Sequence, residues 1–178
     1  MNAYARLLFL LEIETQTRFA LRAARNLNRA LREGRSESFW YAAQSFIVAS
    51  ANVSKLLWGT PRSSLDRREL RELLGVSDSS PLHSRLLRNH FEHFDERIER
   101  SLSATRGELN HVDQVIGDVD DVVPDELFRS FDPKRQTFLY GDETYDLEPL
   151  VASLKKLHAA TKLELRRRSG TKASLRRP

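Results

Sequence analysis

Hydrophobic positions along this chain recur mostly at helical spacing. From about Tyr4 to Glu33, Ile13, Ala20, Ala23, Ala24, Leu27, Ala30 and Leu31 share one face, which predicts a single long helix ended by Gly34. A second helix is predicted from Ser36 or Ser38 as N-cap through Trp40, Ala43, Phe46, Ile47, Ser50, Val53 and Leu57, stopping at Trp58-Gly59-Thr60-Pro61. Its apolar content implies deep burial. A short helix over Leu65 to Leu74 ends at Gly75, and Ser79-Ser80-Pro81 opens a third long helix reaching roughly Ser103, with Leu87, Phe91, Phe94, Ile98 and Leu102 as core stripe.

Beyond that helix the pattern loosens. Residues 104–135 carry Asp113, Asp118, Asp120, Asp121, Asp125, Glu126 and Asp132 with Pro124 and Pro133 as breakers, and read as a long connection with one helical turn near Asp125 to Ser130. The run from Thr137 to Tyr145 places strand formers on both sides of Gly141-Asp142, the pattern of a small β-hairpin, taken as an ornament on a helical fold. Asp146 then caps a last helix, which tolerates Pro149 in its first turn and turns Leu150, Leu154, Leu157 and Leu165 inward. The expected fold class is all-α: a bundle of four main helices with short extra helices and a small β-hairpin before the last one. Residues 1–165 form one domain, and 166–178 a basic tail, disordered from about Arg168.

Composition adds exclusions. Of 178 residues 40% are hydrophobic and 30% charged, which suits a folded domain and rules out a disordered chain. The densest apolar stretch, Leu7 to Leu11 with Ile13, is broken by Glu12 and Glu14, so neither a signal peptide nor a spanning helix is expected. Without cysteine there is no disulfide, thiolate metal site or cysteine nucleophile, and a cytoplasmic location is expected. The net charge of +4 is a tail property: Arg166, Arg167, Arg168, Lys172, Arg176 and Arg177 supply six positive charges, leaving residues 1–165 at −2. Any basic surface therefore has to be located residue by residue.

One stretch carries candidate chemistry. Arg88-Asn89-His90-Phe91-Glu92-His93 lies within the third predicted helix. An Arg five residues before a His occurs three times (Arg85 with His90, Arg88 with His93, Arg106 with His111), but only Arg88 is followed by Asn on a helix with a clean core stripe behind it. At about 100° per residue, Asn89 and His93 lie roughly 40° apart and about 160° from Phe91, so the pair belongs to a polar face. Arg88 sits at the flank, from which its long side chain can bend to the same place.

This Arg-Asn-x-x-x-His arrangement resembles the signature of the HEPN superfamily, whose motif sits on a late helix of a four-helix bundle. The resemblance covers most of residues 4–165. It implies a metal-independent endoribonuclease without cofactor, acting as a homodimer in a defence or toxin-antitoxin setting, with a possible antitoxin or other regulatory partner. Carried over residue by residue, His93 is the acid/base group, Arg88 the phosphate stabiliser and Asn89 a positioning group. HEPN toxins silenced by a nucleotidyltransferase tend to carry Tyr two residues after the His; this chain has Asp95 there.

Other readings of the same residues stand beside this one. Arg88, Asn89 and His93 could decorate a solvated or dimer-buried face, paired with Glu92 or Glu96. A metal site built from His83, His90 and His93 with Glu92 and Glu96 lacks a recognised ligand spacing, and no metal is expected. The first helix aligns Arg18, Arg22, Arg25, Arg29 and Arg32 opposite its apolar face, with no acidic residue among them. Such a stripe either tracks an RNA backbone or pairs with carboxylates elsewhere in the body, and Arg166, Arg167 and Arg168 offer a second basic element. The alternative to an enzyme is a non-catalytic HEPN-like module for RNA or protein binding.

Overall fold

In the computed structural model, residues 1–59, 63, 65–84, 95, 96, 98, 99, 103, 112–117, 127–140 and 143–174 are described. Four helices and a four-stranded sheet organise them: α1 (Ala3–Arg32), α2 (Ser36–Trp58), α3 (Arg68–Leu74), a 3-10 turn (Pro81–His83), β1 (Val112–Ile116), β2 (Leu127–Asp132), β3 (Thr137–Tyr140), β4 (Glu143–Asp146) and α4 (Leu147–Ser174). The molecule is mostly helical, but it is not all-α.

The stripe read from the first 33 residues is the buried one. Leu10, Ile13, Thr17, Ala20, Ala23, Leu27 and Ala30 face inward, while Ala24 and Leu31 pack at the margin. Gly34, at φ +64°, lets the chain reverse after α1, and α2 runs back along it. A hydrogen bond from Asn52 to Gln16, 3.2 Å long, fixes the far end of that pairing. The second helix is as buried as its composition requires, with Phe39, Phe46, Ile47, Val53 and Leu57 each at most 1% exposed. Its start differs from the expected one: Arg35 is the N-cap and contributes no side-chain hydrogen bond, so neither Ser36 nor Ser38 caps the helix.

The third long helix does not begin at Pro81. Ser80 caps only a single 3-10 turn, its hydroxyl accepting from Leu82 N, and Ser84 then takes an extended ψ of 124° that interrupts any continuation. Asp95, Glu96, Ile98, Glu99 and Ser103 are helical, as the pattern requires. Ile98, however, is 41% exposed, so its place in the core stripe is corrected. Apolar spacing identifies a face, but what covers that face is decided by the rest of the fold. Leu87, Phe91, Phe94 and Leu102 lie outside the described residues.

The largest departure is in 104–135, which contains two strands where a loop and a helical turn were expected. Leu127–Asp132 is β2; β1 pairs with it in parallel, and β3 and β4 follow antiparallel in the order β1-β2-β3-β4. The β3-β4 hairpin is present at its expected place, with Tyr140 opposite Glu143. It is no ornament. Phe138 and Phe131, both fully buried, pack with Phe39 and Trp40 of α2 at ring separations of 4.9–6.1 Å, joining the sheet to the helical core. The Trp40 indole N–H donates to the Gln114 carbonyl at 2.9 Å and Arg129 grips Asp113 through two bonds of 2.8 and 2.6 Å, which together hold β1.

Asp146 caps α4 as predicted, its carboxylate accepting from Glu148 N at 3.0 Å. Leu150, Leu154 and Leu157 are buried in the core, and Leu165 packs at its edge. The helix continues to Ser174, past the point where disorder was expected. Good helix formers from Lys162 to Arg168 and an i,i+4 pair from Arg168 Nε to Glu164 at 2.9 Å extend it.

Candidate nucleic-acid interface

Burial of one face of α1 presents the other to solvent, and the five arginines occupy it. Arg18, Arg22, Arg25, Arg29 and Arg32 lie away from the buried stripe. Only Arg18 has an acidic partner among the described residues: its Nε lies 3.5 Å from Glu14, while its guanidinium also covers the Phe19 ring at 5.4 Å. Arg22, Arg25, Arg29 and Arg32 make no ion pair among the described residues.

Arg22 and Arg29 also line a groove where α1 and α2 lie side by side. One stretch, of about 730 Å³, is bounded by Phe19, Arg22, Asn26, Arg29, Arg35 and Tyr41 among others. A second, of about 500 Å³, shares Phe19, Tyr41 and Ser45 with it and continues past Val48 to Asn52. Tyr41 is 76%, Phe19 48% and Val48 45% exposed. The sequence pattern did not reveal this groove. Phe19 lies off the apolar stripe beside the arginines, a signal in principle, but its meeting with Tyr41 depends on how two helices pack.

The other basic element is partly neutralised. Arg168 and Arg167 approach the same Glu164, at 2.9 and 4.0 Å, and Arg166 is exposed on α4. Arg88, Asn89 and His93, together with His90 and Glu92, lie outside the described residues. Just before them, His83 stacks on Trp58 at 4.5 Å with its Nδ1 3.0 Å from the Asp78 carbonyl, and the Trp58 indole donates to the Asp78 carboxylate. That carboxylate also meets Arg71 at 3.2 Å; the indole bond chiefly holds its pKa below the usual value. His83 is thus engaged in packing α3 and the 3-10 turn onto α2. Among the described residues no group of His, Asp and Glu has a metal-binding arrangement.

A further histidine, His158 on α4, faces α1. Its Nδ1 lies 3.0 Å from the Thr17 hydroxyl, which donates its own proton to the Ile13 carbonyl at 2.7 Å, so the ring N–H donates to Thr17. Burial lowers the His158 pKa, opposed by Glu14 and assisted by Lys162 and Arg18.

Compared with known proteins, the chain matches no family model, no curated protein and no solved structure. No described helix is long and apolar enough to cross a membrane.

Proposed function

We propose that this protein is a HEPN-like RNA-binding protein that cleaves its RNA without a metal ion. The observation that carries RNA as ligand is the row of α1 guanidinium groups without acidic partners among the described residues, set on a body whose net charge is negative. Uncompensated cations spaced one or two helical turns apart suit a ligand that repeats a negative charge along its length. A reducing cytoplasm is the matching location, and the HEPN resemblance implies a homodimer and a regulatory protein partner.

The cleavage half of the reading rests on Arg88, Asn89 and His93. In it, His93 takes the proton from a ribose 2′-OH, O2′ attacks the adjacent phosphorus, and the bond from phosphorus to O5′ breaks as that oxygen is protonated. Arg88 balances charge developing on the phosphoryl oxygens, and Asn89 orients the ribose. The products are a 2′,3′-cyclic phosphate and a 5′-OH. A non-catalytic RNA-binding module is the second reading, favoured by the same stripe.

Incubating the protein with mixed RNA, with and without EDTA, and identifying the cleaved ends by mass spectrometry tests the activity. Cyclic phosphate ends that form in chelator, follow a group titrating at about 6 to 7, and disappear in His93→Ala and Arg88→Ala support it. Loss of either group is expected to slow cleavage by about 100-fold or more. Ends carrying 5′-phosphate that vanish with EDTA would sink the role given to His93. RNA binding without cleavage would leave the non-catalytic module.

A further inference from the structure

The α1/α2 groove combines two features that a purely electrostatic face does not need. It is basic on one side, with Arg22 and Arg29 on its α1 wall and Arg35 at its end held by Glu33. It is also bordered by apolar side chains that are costly to leave in water: Tyr41 at 76% exposure and Phe19 at 48%, followed by Val48. Isolated exposed aromatics are common, but here two border both adjoining stretches of the groove, beside guanidinium groups that lack a carboxylate among the described residues. Asn26, Ser38 and Ser45 add donors and acceptors along the wall. From Gln16 to Arg29 the channel follows about 20 Å of α1 by helical rise.

Charge selects the occupant. Glu37 is the one carboxylate among the described residues bounding either stretch, against Arg22 and Arg29, with Arg35 already paired to Glu33. A polyanion whose flat apolar groups are free to turn toward the protein matches both features. Single-stranded RNA has free base faces, whereas in a duplex they are stacked and paired inside.

We propose that this groove binds single-stranded RNA, with bases stacked on Phe19 and Tyr41 and the backbone running along Arg22 and Arg29. The assignment rests on the RNA reading above and adds the strandedness and the site. Arg18 lies over the Phe19 ring at 5.4 Å and 3.5 Å from Glu14, a cation beside the proposed stacking position.

The test measures binding by fluorescence anisotropy with a labelled 2′-O-methyl oligoribonucleotide, whose blocked 2′ oxygen prevents cleavage, as a single strand and as a duplex with its complement. Phe19→Ala and Tyr41→Ala should each weaken single-strand binding by about 5-fold to 100-fold, from the range for one base stacked on an aromatic ring. Duplex binding should be unchanged. Tyr41→Phe should retain affinity, and Tyr4→Ala, which removes a 71% exposed ring elsewhere on α1, should have no effect. Circular dichroism melts establish that each variant is folded.

If Arg22→Gln with Arg29→Gln weakens binding of both probes while the two ring truncations do nothing, the groove is overturned and RNA binding stands. If the wild-type protein binds neither probe, RNA itself is the wrong ligand and both proposals fall. Concentration-dependent self-association in the ultracentrifuge that Tyr41→Ala abolishes, with RNA affinity intact, would make this face an interface between copies and overturn the proposal.

Discussion

Individual side chains decide how the two halves of the core are joined. Phe138 is fully buried and touches rings from α2 and β2 at once, so truncating it leaves a cavity at the seam. Phe138→Ala is expected to cost about 3 to 5 kcal/mol, measured as a lowered urea midpoint at unchanged m value. His158 sets a pH dependence. Its folded pKa is depressed, so the folded state resists the proton that the unfolded chain accepts near 6.5. Its contribution is fully present above about 6.5, declines as pH falls toward the folded pKa, and is constant below both. The groups facing it are Thr17, Glu14 and Arg18 from α1 and Lys162 from its own helix. Urea midpoints recorded from neutral to acidic pH should fall less steeply in His158→Gln than in the wild type, and identical slopes would mean that His158 does not set this dependence.

Among the elements, the helices and the β3-β4 hairpin were legible and the first two strands were not, for reasons visible in particular residues. Period and stop signals agree over α1, α2 and α3, each ending at the expected Gly34, Gly59 or Gly75. Gly59 is the most constrained of these stops. Its φ of +73° and ψ of −163° suit glycine alone, and an added Cβ would lie 2.7 Å from Ser63 Oγ. Arg67 and Arg71 from the next segment donate to the Lys55 and Leu57 carbonyls at the same helix end. Gly59→Ala should therefore cost at least about 1 to 3 kcal/mol in chemical denaturation, more than a surface substitution such as Tyr4→Ala. β1 and β2 carry no comparable signal. In β2, Ser130 and Phe131 are adjacent and both fully buried, so polar and apolar positions do not alternate there. β1 is irregular, with Gln114 at φ +58° and register shifts on either side of Asp113. A central strand beside an irregular one looks, in sequence, like an acidic loop.

At the scale of the molecule, the candidate site divides in the same way. The arginine stripe was readable because it is the complement of an apolar stripe on one helix; the groove was not, because it needs α1 and α2 side by side. Net charge hides both, since residues 1–165 sum to −2 and the excess lies in 166–178. Affinity for RNA should therefore depend on local cations, and the salt dependence of binding separates them. For a single strand, every phosphate that a variant no longer neutralises is expected to lower the slope of log K against log salt by about 0.7. Neutralising Arg22, Arg25, Arg29 and Arg32 to Gln should flatten that slope, and deleting residues 166–178, which removes six cations of which Arg167 and Arg168 share Glu164 within α4, tests the tail separately. Deletion also removes the last turns of α4 beyond Leu165, so circular dichroism melts establish that the truncated protein is still folded. A slope unchanged by the four α1 substitutions, but abolished by the deletion, would move RNA binding from α1 to the end of α4 and leave the α1 guanidinium row without a ligand.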